Sequence, residues 1–183
     1  VSAASRLGYP VVLKIVSAAI PHKARVGGGR LALAAAEAVG EAWHAIHAAV
    51  SLNAPNARLD GVLVTPMVPI ELELLVGMIR DPQFGPAVAV GVGGAAVESL
   101  PDVAMRLLPV DRQECLELLA DLQDRHVRAL GAAERGALAE AIERFSAMAW
   151  DLRETLIEAD VNPIALTRDG RAVALDALLC FRE

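Results

Sequence analysis

The chain has 183 residues, which is long enough for one sizeable hydrophobic core or for two lobes. Hydrophobic residues make up 55% of it and charged residues 22%, and this composition excludes an intrinsically disordered segment. The net charge of −6 argues against binding along a nucleic-acid backbone, whereas a small phosphate ligand requires only local positive charge.

The first third of the chain predicts a helix end, a strand hairpin and a second helix. Gly8 and Pro10 follow an alanine-rich stretch and mark the end of a helix whose start is missing, so we expect a fragment of a longer protein. The stretch "PVVLKIV" predicts a buried strand, and "GRLALA" predicts its hairpin partner. The apolar spacing in residues 35–50 predicts an amphipathic helix. Its inward-facing positions are Val39, Trp43, Ile46 and Val50.

The rest of the chain combines strands and helices in a less regular order. Strands are predicted for "GVLVTPMV", "ELELLVGMI" and "AVAVGV", with "RDPQFGP" as the turn between the last two. Residues 111–122, capped by Asp111, and residues 134–149 predict two helices. The C-terminal residues predict two strands joined by the turn "RDG". This order predicts an α+β fold with a small lobe in residues 1–66 and a larger lobe in residues 67–183.

Lys14 interrupts an otherwise apolar strand and precedes a run of three glycines. A lysine among valine, leucine and isoleucine is costly unless its ammonium group reaches water or an anion. It is therefore either an edge-strand lysine that extends to solvent or a phosphate-binding point charge on a rigid strand. The run Gly27, Gly28 and Gly29 fits the second alternative as a loop whose backbone N–H groups approach phosphate oxygens, although hairpin turns use glycine too.

Polar residues also interrupt the apolar C-terminal strands. Asp160, Asn162 and Asp176 stand among isoleucine, valine, alanine and leucine. A hairpin that turns near Gly170 brings Asn162 and Asp176 roughly opposite each other. A carboxylate and an amide oxygen in that arrangement suit Mg²⁺, which takes few protein ligands and completes its shell with phosphate and water. The alternative is that both residues bond to the backbone at strand ends.

The remaining polar features are less specific. Glu71 and Glu73 share one face of an alternating strand, which is either a solvated face or a pair of carboxylates near a ligand cleft. The two cysteines, Cys115 and Cys180, show no ligand spacing and predict reduced thiols in a cytoplasmic protein. No apolar run approaches the roughly 20 residues of a membrane-spanning helix, so no membrane partner is predicted.

Six segments together resemble the ATP-grasp domain of the ADP-forming acyl-CoA synthetases (acetate–CoA ligase, ADP-forming), relatives of the succinyl-CoA synthetase β chain. In the order of that family they are "LGYPVVLKIV", "IPHK" with "VGG", "ELLVGMIRDPQFGP", "GVGG" with "VE", "DVAMRLLP" and "DVNPIAL". They cover nearly the whole chain. The resemblance implies an ATP-grasp fold, in which two α+β lobes grip ATP in a cleft between them.

The resemblance also implies roles for individual residues, with ATP or ADP and Mg²⁺ as the cofactors. Lys14 would contact the nucleotide phosphates under the glycine loop, and residues 65–68 would form a hinge whose backbone recognises adenine. The implied nucleotide-contacting residues are Lys14, Gly27, Gly28, Gly29, Thr65, Met67, Val68, Glu73 and Glu98. The implied metal ligands are Asn162 and Asp176.

The family reaction converts acyl-CoA, phosphate and ADP to acid, CoA and ATP, and runs in reverse, with the phosphoryl group carried on histidine. His22 matches a histidine that relatives are thought to phosphorylate transiently, and Asp160 matches an acidic residue that helps to orient a phosphorylated histidine. These two are the implied catalytic residues. The CoA-binding and CoA-ligase domains, in the same polypeptide or in a partner subunit, would be the partners. This chain alone would bind nucleotide without completing a turnover.

One motif departs from the family. Relatives usually read "HKSD" or "HKTD" where this chain reads "HKAR", with Ala24 and Arg25. The reversed charge beside His22 would favour holding a phosphate but removes an anionic partner for the imidazole. This departure motivates an alternative, a degenerate ATP-grasp module with a regulatory or scaffolding role. An ATP-dependent carboxylate–amine ligase on the same fold is a weaker alternative, because "RDPQFGP" and "DVNP" favour the acyl-CoA branch.

Overall fold

The computed structural model describes residues 1–20, 22–93 and 102–182. In chain order the elements are α1 (Ser2–Leu7), β1 (Val11–Val16), the 3₁₀ turn Lys23–Val26, β2 (Gly29–Leu33), α2 (Ala36–Asn53), β3 (Gly61–Pro66), β4 (Ile70–Asp81), β5 (Gly85–Val92), β6 (Val103–Leu107), α3 (Arg112–Asp121), α4 (Arg125–Ala129), α5 (Ala132–Asp151), β7 (Leu156–Thr167), β8 (Ala172–Ala174) and β9 (Ala177–Phe181). They form two compact units, Val1–Val68 and Pro69–Glu183. The predicted α+β class is confirmed.

The first unit is a three-stranded antiparallel sheet, in the order β2-β1-β3, packed against helices. The β-branched and leucine residues of β1 alternate between the two faces of the sheet. Those on one face meet the apolar stripe of α2 in a small core. The fully or nearly buried members of this core are Ala4, Val11, Leu13, Ile15, Ile20, Val39, Ala42, Ile46 and Val50.

The second unit is a six-stranded antiparallel sheet in which β6, β5, β4, β7 and β8 are neighbours in that order and β9 also pairs with β7. Alternate residues of β4, from Leu72 to Met78, are buried on one face of the sheet. They pack against α3 and α5, whose apolar stripes include Leu118 and Leu138. We call the opposite face of each sheet, away from the helices of its own unit, the helix-distal face.

Helix positions in the second unit follow from local signals that the sequence carries. Asp111 caps α3, since its carboxylate accepts from the Glu114 N–H at 2.9 Å while the Glu114 carboxylate accepts from the Asp111 N–H at 2.9 Å. The helix therefore begins where predicted. None of the helices in the described parts of the chain is long and apolar enough to cross a membrane.

The structure differs from the sequence prediction at several places, and β6 is a strand that was not predicted. Trp43 was predicted to face inward but is 44% exposed, and Ala42 occupies the buried position instead. The C-terminal return strand is broken into β8 and β9, because residues 175 and 176 bridge two separate pairings with β7. The short helix α4 was not predicted, because its five residues are too few for a periodic apolar pattern.

Candidate functional site

Lys14 lies on the central strand of the first sheet, on its helix-distal face. Its neighbours Leu13 and Ile15 are buried against the helices, so alternation directs the Lys14 side chain to the other face. It lies opposite Gly29 on β2 and opposite Leu63 on β3, and Leu63 is 50% exposed. A cation within an exposed apolar surface suits a ligand that combines a flat apolar ring with an anionic group. The edge-strand alternative for Lys14 is wrong, because β1 is the central strand.

The glycine run closes a tight turn beside Lys14. Gly27 ends the 3₁₀ turn in the left-handed region at φ 71°, which favours glycine. Its N–H donates to the Ala24 carbonyl at 3.1 Å, and the Gly28 N–H donates to the Lys23 carbonyl at 2.8 Å. A Cβ at Gly28 would lie 2.5 Å from the Ile15 Cδ1 atom, so only glycine fits there. Two of the three glycines are thus required by the turn itself.

This geometry changes the expectation of a phosphate-covering glycine loop. The N–H groups of Gly27 and Gly28 donate to backbone carbonyls of the turn in this conformation. They therefore point into the turn and not toward a ligand. The sequence could not show this, because the orientation of a peptide plane depends on contacts across the sheet. Phosphate contact by the glycine run remains a prediction, and Gly29 is the member of the run that the turn does not engage in this way.

His22 directly precedes the 3₁₀ turn and its side chain is exposed. The Arg25 N–H donates to the His22 carbonyl at 3.2 Å. Arg25 is the third residue of the turn, and its side chain is also exposed. An effect of its charge on His22 remains a prediction. The carrier role of His22 and the orientation of a phosphorylated histidine by Asp160 both stay predictions.

The predicted hinge residues close the first unit. Thr65 lies in β3 opposite Val12. The Met67 N–H donates to the Pro10 carbonyl at 2.9 Å, and Val68 is the last residue of the unit. The Met67 donor is thus used within the unit, and adenine recognition by this backbone remains a prediction.

Glu73 lies on the helix-distal face of the second sheet, between the buried Leu72 and Leu74. Its carbonyl accepts from the Gly93 N–H at 2.8 Å, and a Cβ at Gly93 would lie 3.3 Å from the Glu73 Cβ. The second glycine cluster therefore starts beside Glu73. Glu98, the other predicted carboxylate of this region, lies outside the described residues.

Asp160 lies on the same helix-distal face, on β7. It stands opposite Gly77 of β4 and Leu178 of β9. A Cβ at Gly77 would lie 3.7 Å from the Asp160 Oδ1 atom, so the glycine leaves space over the carboxylate. Gly77 was not predicted as a site residue, although a glycine inside a strand is a recognised sign of a close approach.

Asn162 and Asp176 are adjacent in the structure. The Asn162 N–H donates to the Asp176 carbonyl at 3.1 Å, at the point where β8 gives way to β9. The neighbouring Leu175 N–H donates to the Pro163 carbonyl at 3.0 Å, and the Asp176 Oδ1 atom accepts from the Ala177 N–H at 3.1 Å. The predicted opposition of the two residues is therefore present, together with a backbone contact of the kind that the alternative proposed.

The donor set at this position fits Mg²⁺. One carboxylate and one amide oxygen are hard ligands, and Mg²⁺ is bound by few protein groups together with phosphate oxygens and water. Among the described residues no group of three or more His, Cys, Asp or Glu side chains forms a complete protein cage for a metal ion. A cation at this position would therefore take the rest of its shell from a ligand.

The other chemically active groups do not belong to these sites. Cys115 lies on the buried side of α3, and burial, followed by the nearby Glu143 carboxylate, raises the pKa of its thiol to about 12. A thiol in this setting is a poor nucleophile. A groove of about 670 Å³ also opens between α5 and β8, lined by residues such as Phe145 and Ala172. None of the predicted site residues lines this groove.

Comparison with known proteins assigns nearly the whole chain to one family. Residues 1–180 match the family model of the ATP-grasp domain. The chain is 40% identical over 175 residues to the beta subunit of acetate–CoA ligase (ADP-forming) I of Pyrococcus furiosus, which covers 93% of this chain and 75% of that subunit. It is also 40% identical to acetate–CoA ligase (ADP-forming) I of Archaeoglobus fulgidus, of which it spans 25%.

Solved structures give the same result. The dinucleotide-forming acetyl-coenzyme A synthetase 1 of Ca. Korarchaeum cryptofilum, in complex with coenzyme A, Ca-AMPCP and HgCl⁺, matches with a TM-score of 0.89 and 33% identity over 99% of this chain and 80% of that one. A crystal structure from Pyrococcus horikoshii matches with the same TM-score at 31% identity. The chain spans about three quarters of the separate beta subunit and a quarter of the single-chain ligase.

Proposed function

Because the chain belongs to the ATP-grasp family, we propose that it is the nucleotide-binding, phosphoryl-transferring part of an ADP-forming acyl-CoA synthetase. The observation that carries the proposal is the position of Lys14. This lysine extends from the central strand of the first sheet onto an exposed apolar face, beside the glycine turn. An ADP molecule offers the two matching groups, a flat base and a charged diphosphate.

In this proposal the first unit supplies the positive charge. Lys14 neutralises phosphate charge as a point charge on a rigid strand, and Leu63 provides apolar surface beside it. Phosphoryl transfer asks for positioning and charge neutralisation rather than for covalent chemistry by the protein. Residues 65–68 are the proposed adenine-recognition segment.

The second unit supplies acidic groups. Asn162 and Asp176 hold Mg²⁺, whose contribution when bound is to neutralise the phosphate oxygens. Glu73 and Asp160 share the helix-distal face of that sheet. We assign Glu73 to the surroundings of the nucleotide, and Asp160 to holding an imidazole in the correct orientation.

The proposed overall reaction converts acyl-CoA, phosphate and ADP to a carboxylic acid, CoA and ATP. The phosphoryl group passes from a histidine nitrogen to an oxygen of the ADP β-phosphate, so an N–P bond breaks and an O–P bond forms. His22 is the proposed carrier within this chain. Arg25, three residues after His22, stabilises the phosphorylated form through its positive charge.

The partners in this proposal are CoA-binding and CoA-ligase domains, either fused or in another subunit. The relatives occur both as beta subunits and as single-chain ligases about four times the length of this chain. The acyl group is selected by those partner domains. We further propose that the enzyme works in the cytoplasm, where acyl-CoA and ADP are available.

The test of the proposal is ATP formation by the full-length protein from ADP, phosphate and a panel of acyl-CoA thioesters. We expect Mg²⁺-dependent ATP formation with at least one thioester, and a loss of at least tenfold in kcat/KM for Lys14→Met and for Asp176→Asn. Arg58→Met is the control, because Arg58 is exposed, pairs with Asp60 at 3.2 Å and belongs to the same unit as Lys14.

The outcome that contradicts the proposal is ADP binding without ATP formation from any thioester. That result would favour the regulatory module that the altered "HKAR" motif suggests. A His22→Asn variant sharpens the distinction. The carrier role requires that acid-labile phosphate appear on the peptide that contains residue 22 in the native protein and be missing from that peptide in the variant, whatever phosphate the other domains carry.

A further inference from the structure

Arg30 directly follows the glycine run and is bonded back to it. Its Nη1 atom donates to the Gly27 carbonyl at 3.0 Å and to the Gly29 carbonyl at 2.7 Å. The side chain is half-buried, and within the described part of the chain these carbonyl groups are its polar partners. The guanidinium group thus joins both ends of the run while keeping its positive charge.

The direction of the Gly29 N–H follows from the peptide plane that precedes it. The Gly28 carbonyl accepts from the Ile15 N–H of β1 at 2.8 Å. In a planar trans peptide, the carbonyl of one residue and the N–H of the next point in opposite directions. The Gly29 N–H therefore points away from β1. Because β2 is the edge strand of its sheet, this N–H points off the sheet edge.

The Arg30 guanidinium lies on that same edge. Gly29 is paired with Lys14 but sends its carbonyl outward, where Arg30 binds it. An N–H and a carbonyl of one strand residue point to the same side in an antiparallel pair. The outward-facing Gly29 N–H and the guanidinium group thus lie next to each other. Together they offer a backbone donor and a positive charge to one anion.

We infer that Arg30 is a positioning residue of the nucleotide site: by holding the Gly27 and Gly29 carbonyl groups it fixes the turn with the Gly29 N–H directed outward to a phosphate group of the nucleoside diphosphate. The inference rests on the proposed function. It also replaces the predicted three-amide cradle by one amide, because the Gly27 and Gly28 amides are engaged within the turn. Removing the guanidinium releases both carbonyls and lets the peptide planes rotate.

The first test needs no ligand. Residue-resolved hydrogen exchange of the full-length protein compares native, Arg30→Met and the matched control Arg58→Met. We expect the Gly27 and Gly28 amides to exchange about tenfold faster in Arg30→Met and unchanged in the control, because turn opening becomes easier without the two bonds. Unchanged exchange rates of these amides in Arg30→Met would overturn the positioning role, whatever the nucleotide affinity of the variant.

The second test separates the phosphate group from the rest of the nucleotide. Titrations with ADP and with adenosine are expected to show an ADP affinity about tenfold weaker in Arg30→Met and an unchanged adenosine affinity. Arg30→Lys keeps one donor group, and its ADP affinity should lie between those of native protein and Arg30→Met. In native protein, ADP should also slow exchange of the Gly29 amide.

These titrations distinguish failure of the Arg30 inference from failure of the proposed function. If native protein binds ADP and Arg30→Met binds it equally well, the inference is wrong and the proposed function stands. If both ligands lose affinity equally in Arg30→Met, the residue has a general structural role and the inference is again wrong. If native protein binds no ADP, the proposed function fails and takes the phosphate part of the inference with it.

Discussion

The two sheets of this protein have the same plan but opposite charge on their helix-distal faces and edges. The first sheet carries cations there, with Lys14 on its central strand and Arg30 on its edge strand. The second carries carboxylates, with Glu73 and Asp160 on neighbouring strands. In each unit the helices pack on the other face, where the residues are almost all apolar.

Under the proposed function, this difference would give one chain two ways to recognise a phosphate ligand. A cationic side chain attracts phosphate directly, whereas a carboxylate attracts it only through a bound metal ion and otherwise repels it. The first unit should therefore act on the phosphates themselves, and the second should act through Mg²⁺. Without Mg²⁺, removing a charged side chain from the first unit should therefore weaken ADP binding, and removing one from the second unit should strengthen it.

The largest effects are expected on ADP affinity, for substitutions of the charged residue in each unit. Without Mg²⁺, Lys14→Met should weaken ADP binding by about tenfold or more, because it removes a charge-assisted contact. Asp176→Asn should instead strengthen Mg²⁺-free binding by about threefold, because it removes a like charge near the phosphates. With Mg²⁺ present, both substitutions should weaken binding. Titration of each full-length variant with and without Mg²⁺ measures these changes.

Asp176→Asn is a conservative change, since the asparagine oxygen can still accept from the Ala177 N–H as the carboxylate does at 3.1 Å. A loss of affinity in this variant without Mg²⁺ would show that Asp176 contacts the nucleotide by itself. The contrast between the two units would then be wrong.

A second difference between the sheets concerns their glycines. Gly28→Ala should destabilise the first unit by about 1–3 kcal/mol, because the new Cβ would overlap the buried Ile15 side chain. The matched change Gly77→Ala in the second sheet should not destabilise it, since its nearest contact, the Ala159 carbonyl, would lie 3.5 Å away. Urea unfolding of both variants provides the measurement. Equal losses of stability in the two variants would mean that overlap with the Ile15 side chain is not the cause of the loss in Gly28→Ala.

The smallest effects are expected at the helix caps. Asp111→Ala removes the cap of α3 and should lower the unfolding free energy by about 1 kcal/mol, while Asp111→Asn should largely retain it. In the first unit the N-cap residue of α2 is Ala35, which has extended backbone and makes no side-chain capping hydrogen bond. Ala35→Asp should therefore raise stability by about 1 kcal/mol. Thermal unfolding of the three variants measures both the expected loss and the expected gain in stability. A stabilised Asp111→Ala protein would contradict the capping argument.

Much of the fold was predictable because its signals are local. The apolar run of β1, the alternation in β4, the Asp111 cap and the turn at Gly170 each depend on a few neighbouring residues. Trp43 was misplaced because helical spacing alone does not decide between two adjacent apolar residues, and the smaller Ala42 fits the core. The break between β8 and β9 was also missed, since both halves read as strand.

The candidate site was predictable only in part, for a different reason. Lys14 and Asp160 stand out because a charged residue inside an apolar strand is unusual, and the pairing of Asn162 with Asp176 follows from hairpin register. Arg30 gave no such signal. Its role depends on peptide orientations in the glycine turn, which are set by contacts with Ile15 across the sheet.

We propose that this chain binds a nucleoside diphosphate through Lys14 and through a metal ion held by Asn162 and Asp176. The decisive experiment is calorimetric titration of the full-length protein with ADP, with and without Mg²⁺, in which native protein is compared with the Asn162→Ala/Asp176→Ala double variant. We expect Mg²⁺ to strengthen ADP binding to native protein and to have no effect on ADP binding to the double variant. A Mg²⁺ effect of the same size in both proteins would contradict the proposal, because the metal would then be held elsewhere.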